Sequence, residues 1–154
     1  MDATLSPPAK DLTREPPLSP RMRLGGYAIL ARTLDVCRAD LAGTADAYHF
    51  GCPLDRMLFD FKEIRVDDFR AHVAEGGSDA DVLRWLENVG ARRFTAEVRG
   101  WSDRVENDRP YEDPARREWF KGECQRLGLS MLTTTLFDYL DADDAARFGS
   151  RARA

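Results

Sequence analysis

Eight consecutive residues, Tyr48-His49-Phe50-Gly51-Cys52-Pro53-Leu54-Asp55, bring a hydroxyl, an imidazole, a thiol and a carboxylate together. Cysteine followed by proline reads as a helix start, with Pro53 at the first helical position and Cys52 as the N-cap. A thiol there meets unpaired backbone N–H groups and the positive end of the helix dipole, and both favour thiolate. His49 could serve as its base or cationic partner. Asp55, at the third helical position, works in the opposite direction, because a carboxylate one turn away raises a thiol pKa. The chemistry on offer is a small thiol-dependent enzyme built on Cys52, His49, Asp55 and Tyr48. The competing structural reading makes Cys52 a buried cap, has His49 hydrogen-bond a backbone carbonyl, and leaves Tyr48 to pack.

A second group is acidic. Asp138, Asp141, Asp143 and Asp144 lie close in sequence, and Asp138 and Asp141 share a helix face at i, i+3. Hard cations such as magnesium or calcium take oxygens of this kind, so Asp138, Asp141 and Asp144 form a candidate metal site. The spacing lacks the glycine and closing glutamate of an EF-hand loop. The alternative has Asp141 capping a last helix, with Asp143 and Asp144 in its first turn. A mixed site would join His49, Cys52 and Asp55 to Asp138 or Asp141 around a transition metal, with His72 as a possible further ligand. His72, next to Glu75 on a polar stretch, reads more simply as a surface histidine. No particular cofactor is specified by these residues.

The elements that must position these groups read as helices. After the break at Gly25-Gly26, residues Tyr27, Leu30, Leu34, Cys37 and Leu41 recur at steps of three and four. That spacing predicts a first helix of about 15 residues, ended by Gly43. Pro53 opens a second helix, buried through Leu54, Met57, Leu58 and Phe61. Asp67 is the expected cap of a third, stopped by Gly76-Gly77. Ser78 and Asp81 form a capping box for a fourth with Val82, Leu83, Leu86 and Val89 on its stripe. Thr95 caps a fifth. Asp113-Pro114 starts a sixth, ending at Gly128 and burying Trp119 or Phe120. A seventh uses Leu129, Leu132, Leu136 and Leu140, although Thr133-Thr134-Thr135 disfavours helix and leaves strand as an alternative. A last helix begins at Asp141.

Five prolines, Pro7, Pro8, Pro16, Pro17 and Pro20, make residues 1–20 an extended arm, with 1–10 mobile and 11–20 lying across the domain. Its Pro16-Pro17-Leu18-Ser19-Pro20 could be a polyproline ligand for a partner domain, or could pack on its own domain. Residues 21–149 form the helical domain and 150–154 a frayed tail. The expected class is all-α: one compact domain of about six to eight short helices behind the Pro-rich arm. A chain of 154 residues suffices for one domain without disulfides or structural metal. The net charge of −4 argues against non-specific nucleic-acid binding. Of 23 basic residues only Lys10, Lys62 and Lys121 are lysines, so arginine carries the positive charge. The first residues lack the basic and apolar regions of a signal peptide, and no apolar run approaches a membrane span. Three cysteines without framework spacing point to a reducing, cytoplasmic setting.

The succession of motifs resembles an uncharacterised bacterial family of small proteins, the DUF5069 family. It is carried by Asp11-Leu12-Thr13, Pro16-Pro17, Ser19-Pro20-Arg21, Leu24-Gly25-Gly26-Tyr27, Arg32-Thr33-Leu34-Asp35 and Tyr48-His49-Phe50 with Cys52-Pro53-Leu54-Asp55. Phe137-Asp138-Tyr139-Leu140-Asp141, Asp143-Asp144 and Phe148-Gly149 carry it at the other end, so it covers residues 11–149. The chain departs from the family pattern at Val36, where a lysine is expected. The resemblance implies no activity, substrate or site residues. The leading expectation is therefore a cytosolic, non-catalytic binding or protein-interaction module, with an unknown protein or small molecule as partner. The thiol enzyme and the metal-binding protein are the alternatives.

Overall fold

In a computed structural model, which describes residues 8–152, seven α-helices follow one another. They are α1 (Leu30–Ala42), α2 (Pro53–Lys62), α3 (Val66–Ala74), α4 (Asp79–Asn88), α5 (Thr95–Glu106), α6 (Arg117–Leu127) and α7 (Leu136–Ala152), with a 3₁₀ turn at Pro110–Glu112 before α6. The all-α class holds, and the described residues contain no strand. An isolated bridge pairs Leu24 with Tyr27 around the Gly25-Gly26 turn.

Several helix ends follow from local chemistry as expected. Cys52 is the extended N-cap of α2 with Pro53 behind it. Ser78 and Asp81 exchange hydrogen bonds in a capping box at α4. Gly43 and Gly128 end α1 and α6 in the left-handed conformation that glycine adopts without a Cβ penalty.

Other boundaries move. Helix α1 begins at Leu30, not Tyr27, because the Leu24–Tyr27 bridge and the positive φ of Ile29 (74°) hold the chain out of helix until then. Tyr27 is nevertheless buried, while Leu41 at the far end of the stripe is exposed. Helix α2 buries Leu54, Asp55, Leu58, Phe59 and Lys62, so its inner face is rotated from the expected one and leaves Met57 and Phe61 half-buried. Arg65 and Phe94, not Asp67 and Thr95, occupy the N-cap positions of α3 and α5. Asp113 caps a turn instead of a helix, accepting from the Ala115 N–H at 3.0 Å, and α6 starts later, at Arg117. Phe120 goes inside and Trp119 stays 49% exposed. The expected seventh and eighth helices are replaced by a turn and one long helix. Leu132 is 65% exposed in that turn, and Thr135 and Asp138 exchange hydrogen bonds in a capping box that starts α7. Asp141 therefore lies inside α7 and caps nothing. Residues 150–152 continue α7; the ends, 1–7 and 153–154, lie outside the described residues, as does that part of the expected mobile arm and frayed tail.

All seven helices feed one core. Leu34 and Cys37 of α1 meet Leu58 and Phe59 of α2, Phe69 of α3, Leu86 of α4, Trp101 of α5, Phe120 of α6 and Phe137 of α7. Phe59 and Phe69 sit 5.0 Å apart, and Phe61 stacks on Trp101 at 4.7 Å. The arm docks on another face of α1. Leu12 is fully buried against Val36 and Ala39, a contact worth roughly 1.5–3 kcal/mol. The Leu12 N–H donates to the Thr44 carbonyl, and the Leu18 N–H to the Asp35 carboxylate at 2.8 Å.

Candidate functional site

The Tyr48–Asp55 stretch leads from the end of α1 into α2, and most of its polar groups find partners inside the protein. Asp55, 2% exposed, accepts the Thr33 hydroxyl at 2.6 Å and the Gly51 N–H at 2.9 Å. Burial pushes its carboxyl above the ordinary value, and those hydrogen bonds oppose the rise. Burial, then the Asp55 carboxylate, push the half-buried Cys52 thiol up as well. The backbone N–H groups of Asp55 and Leu54 favour thiolate as a helix start should, and they are outweighed. His49 is exposed and makes no hydrogen bond or ion pair among the described residues.

Tyr48 links this stretch to α7. Its hydroxyl donates to Asp144 at 2.7 Å, and the guanidiniums of Arg32 and Arg147 lie over its ring, at 5.6 and 5.3 Å. Asp144 also receives both terminal nitrogens of Arg32, at 2.8 and 3.3 Å, and that Arg32 donates in addition to the Leu18 carbonyl of the arm. This ion pair is buried and has its hydrogen bonds filled. Burial and the Asp144 carboxylate push the Tyr48 phenol up. Two stretches read as separate sites thus meet, but through the hydroxyl of Tyr48 and not through the thiol.

The other acidic residues point to different cations. Asp138 and Asp141 hold Arg21, and Asp143 holds Arg126 at 2.8 Å. No three His, Cys, Asp or Glu side chains among the described residues are grouped as a metal ion would require. His72 is on α3, stacked on Trp85 at 4.4 Å and 3.7 Å from Glu75.

A third place, not singled out by sequence, has the opposite character. Between the Gly25-Gly26 turn, the end of α4 and the start of α5 lies a pocket of about 160 Å³, lined in part by Tyr27, Glu87, Arg93, Thr95 and Arg99. The turn is fixed in place by Ser102 of α5, which donates to the Gly26 carbonyl at 2.7 Å and accepts the Ala28 N–H at 2.9 Å. Gly25 has φ +60°, and a Cβ there would come within 2.5 Å of the Leu83 side chain, so glycine lets the turn press onto α4. The Tyr27 ring is wedged against Phe61 and Trp101, at 6.4 and 6.5 Å.

Tyr27 is 2% exposed, yet its hydroxyl has no hydrogen-bond partner among the described residues. Among the described residues no fully enclosed side-chain nitrogen or oxygen lacks a partner, so this hydroxyl keeps an opening, and the space that Tyr27 lines is the pocket. Burial pushes its pKa up, Glu87 adds to the rise and Arg93 opposes it. Arg93 is engaged with the Phe61 carbonyl, Glu63 and Glu97, whereas Arg99 and Glu87 make no ion pair among the described residues. Sequence signals at this place were a turn-forming Gly-Gly and a tyrosine on an apolar stripe; neither reveals a phenol left without a partner.

No helix among the described residues is long and apolar enough to cross a membrane. Among curated proteins none matches the chain. The sequence model of a family described as a domain of unknown function, DUF5069, matches residues 14–146, most of the chain, and the protein belongs to that family.

Proposed function

We propose that this protein is a non-catalytic module that binds a small molecule in the pocket beside the Gly25-Gly26 turn. The observation that carries the reading is the Tyr27 hydroxyl, which opens on the pocket and has no hydrogen-bond partner among the described residues. Because this hydroxyl opens on the pocket and not into the closed interior, solvent can meet it there, and a ligand that displaces that solvent finds a phenol able to donate or accept. The pocket's small volume and its mixture of arginine, glutamate and tyrosine suit a small polar ligand better than a protein surface. The Tyr48–Asp55 stretch supports a structural role in the same scheme, since Asp55 and Tyr48 are bonded inward and the Cys52 thiol is pushed up. Three free cysteines fit a reducing, cytoplasmic setting, and the negative net charge fits a protein that does not bind nucleic acid.

The test is thermal unfolding of the full chain against a panel of small anions, cations and neutral molecules. A ligand at about 100 times its dissociation constant adds ~2.7 kcal/mol. That raises the Tm of a chain this size by roughly 5–10 °C. The expected result is such a rise for one chemical class, lost in Tyr27→Phe. No shift with any class, or an identical shift in Tyr27→Phe, would remove the reading.

A further inference from the structure

Resting on the reading that this pocket binds a small molecule, we infer that its ligand is a small organic acid with a hydrogen-bond donor next to the carboxylate, that is, an amino or hydroxy acid. The argument starts from which lining groups are already engaged. Arg23 holds Asp103 and Glu106, at 2.8 and 3.2 Å, and Arg93 is held by two glutamates and a carbonyl. Arg99 has no such partner among the described residues. It lies four residues after Thr95 on α5, so both are on one helix face, and both line the pocket.

Thr95 is the first residue of α5, a helix of 12 residues. Its N-cap is Phe94, whose side chain has no acceptor, and the Phe94 N–H donates to the Glu97 carboxylate of the first turn at 2.9 Å. A guanidinium and a threonine hydroxyl, both without partners among the described residues, together favour an oxyanion. Tyr27 adds a phenol that can donate to the same anion or accept from a neighbouring group.

Glu87 distinguishes this pocket from a simple anion hole. It comes from α4, lines the same space, and makes no ion pair. A bare anion would be repelled by it. A ligand with an ammonium or hydroxyl beside its carboxylate gives Glu87 a donor and leaves Arg99 the acid. The volume sets the size: about 160 Å³ is room for roughly five waters at ~30 Å³ each, well short of the ~300 Å³ at which drug-sized sites begin. Val98, the apolar member of the wall, meets a short side chain.

The experiment is a titration of the isotope-labelled full chain at low salt, followed by the amide signals of Gly25, Gly26 and Thr95. The probes are alanine, lactate, propionate, inorganic phosphate and ethylamine. Alanine or lactate is expected to move those signals and to bind at least about tenfold more tightly than propionate. Which of the two binds better assigns the donor as ammonium or hydroxyl. Arg99→Gln should weaken every acid by about tenfold, while Glu87→Gln should erase the preference over propionate and leave propionate itself no weaker. Both positions are exposed, so the fold tolerates the changes. Propionate, phosphate or ethylamine binding as tightly as the best probe would overturn the inference and leave the pocket reading standing. No movement with any probe at roughly 50 mM would remove both.

Discussion

Two tyrosines show how differently two regions of this molecule use the same side chain. Tyr48 is half-buried, donates to Asp144, and has two guanidiniums over its ring. Tyr27 is more deeply buried and its hydroxyl bonds to nothing in the described protein. Around Tyr48, Arg32, Asp144, Asp55 and Thr33 complete one another. Around Tyr27, Arg99 and Glu87 are left over. The region richer in reactive residue types is thus the one with less chemistry to offer. A thiol or carboxylate is available for function only when its neighbours do not already use it, and a satisfied buried network acts as a structural joint.

The largest expected effect falls on that joint. Asp144→Ala leaves the Arg32 guanidinium buried without its carboxylate, and should cost about 3–5 kcal/mol in urea unfolding. The paired change Arg32→Met with Asp144→Leu should recover most of that loss. A cost below about 1 kcal/mol for Asp144→Ala would mean that water reaches the pair and the region is not closed.

The two tyrosines give the sharpest comparison. Tyr48→Phe removes a hydrogen bond to a carboxylate and should cost about 1–2 kcal/mol. Tyr27→Phe removes a hydroxyl with no partner and should change stability by less than about 0.5 kcal/mol, while abolishing ligand binding. Equal costs in chemical denaturation would erase the distinction between the regions.

The smallest effect concerns Cys52. Burial and Asp55 raise its thiol pKa, so the thiolate fraction at neutral pH is below that of free cysteine. With Cys37→Ser and Cys124→Ser in place, alkylation by iodoacetamide should be slow at pH 7 and should climb only above the ~8.5 of an ordinary thiol. A fast reaction at neutral pH would return the Tyr48–Asp55 stretch to candidacy as a thiol enzyme.

Legibility in the sequence followed the range of the forces involved. Cys52-Pro53, Ser78 with Asp81, and the glycines at 43 and 128 act on their own turns, and each is found as read. Thr135 with Asp138 is an equally local capping box, hidden in the sequence by a run of three threonines whose propensity points away from helix. The candidate residues themselves were visible: Tyr48, Asp55 and Asp144 are all polar groups in unusual surroundings. What they do was not visible, because the partners of Tyr48 and Asp55 lie far along the chain. Tyr48 and Asp144 are 96 positions apart, and Thr33 and Asp55 are 22.

The sequence by itself determined an all-helical chain, the starts of α2 and α4, the ends of α1 and α6, and the family. Each of these depends on periodicity or on contacts within a few residues. Only the tertiary structure decided which polar groups are used up and which are left open. The ion pair of Arg32 with Asp144 and the clamp of Ser102 on Gly26 close one region and hold the turn of the other. Tyr27 looked like one more apolar position on a helical stripe. It became a candidate ligand contact because α4, α5 and the Gly25-Gly26 turn converge around its ring and supply no acceptor or donor for its hydroxyl. Whether a buried polar group has a partner is a property of three-dimensional neighbours, and no local pattern in a single chain encodes it.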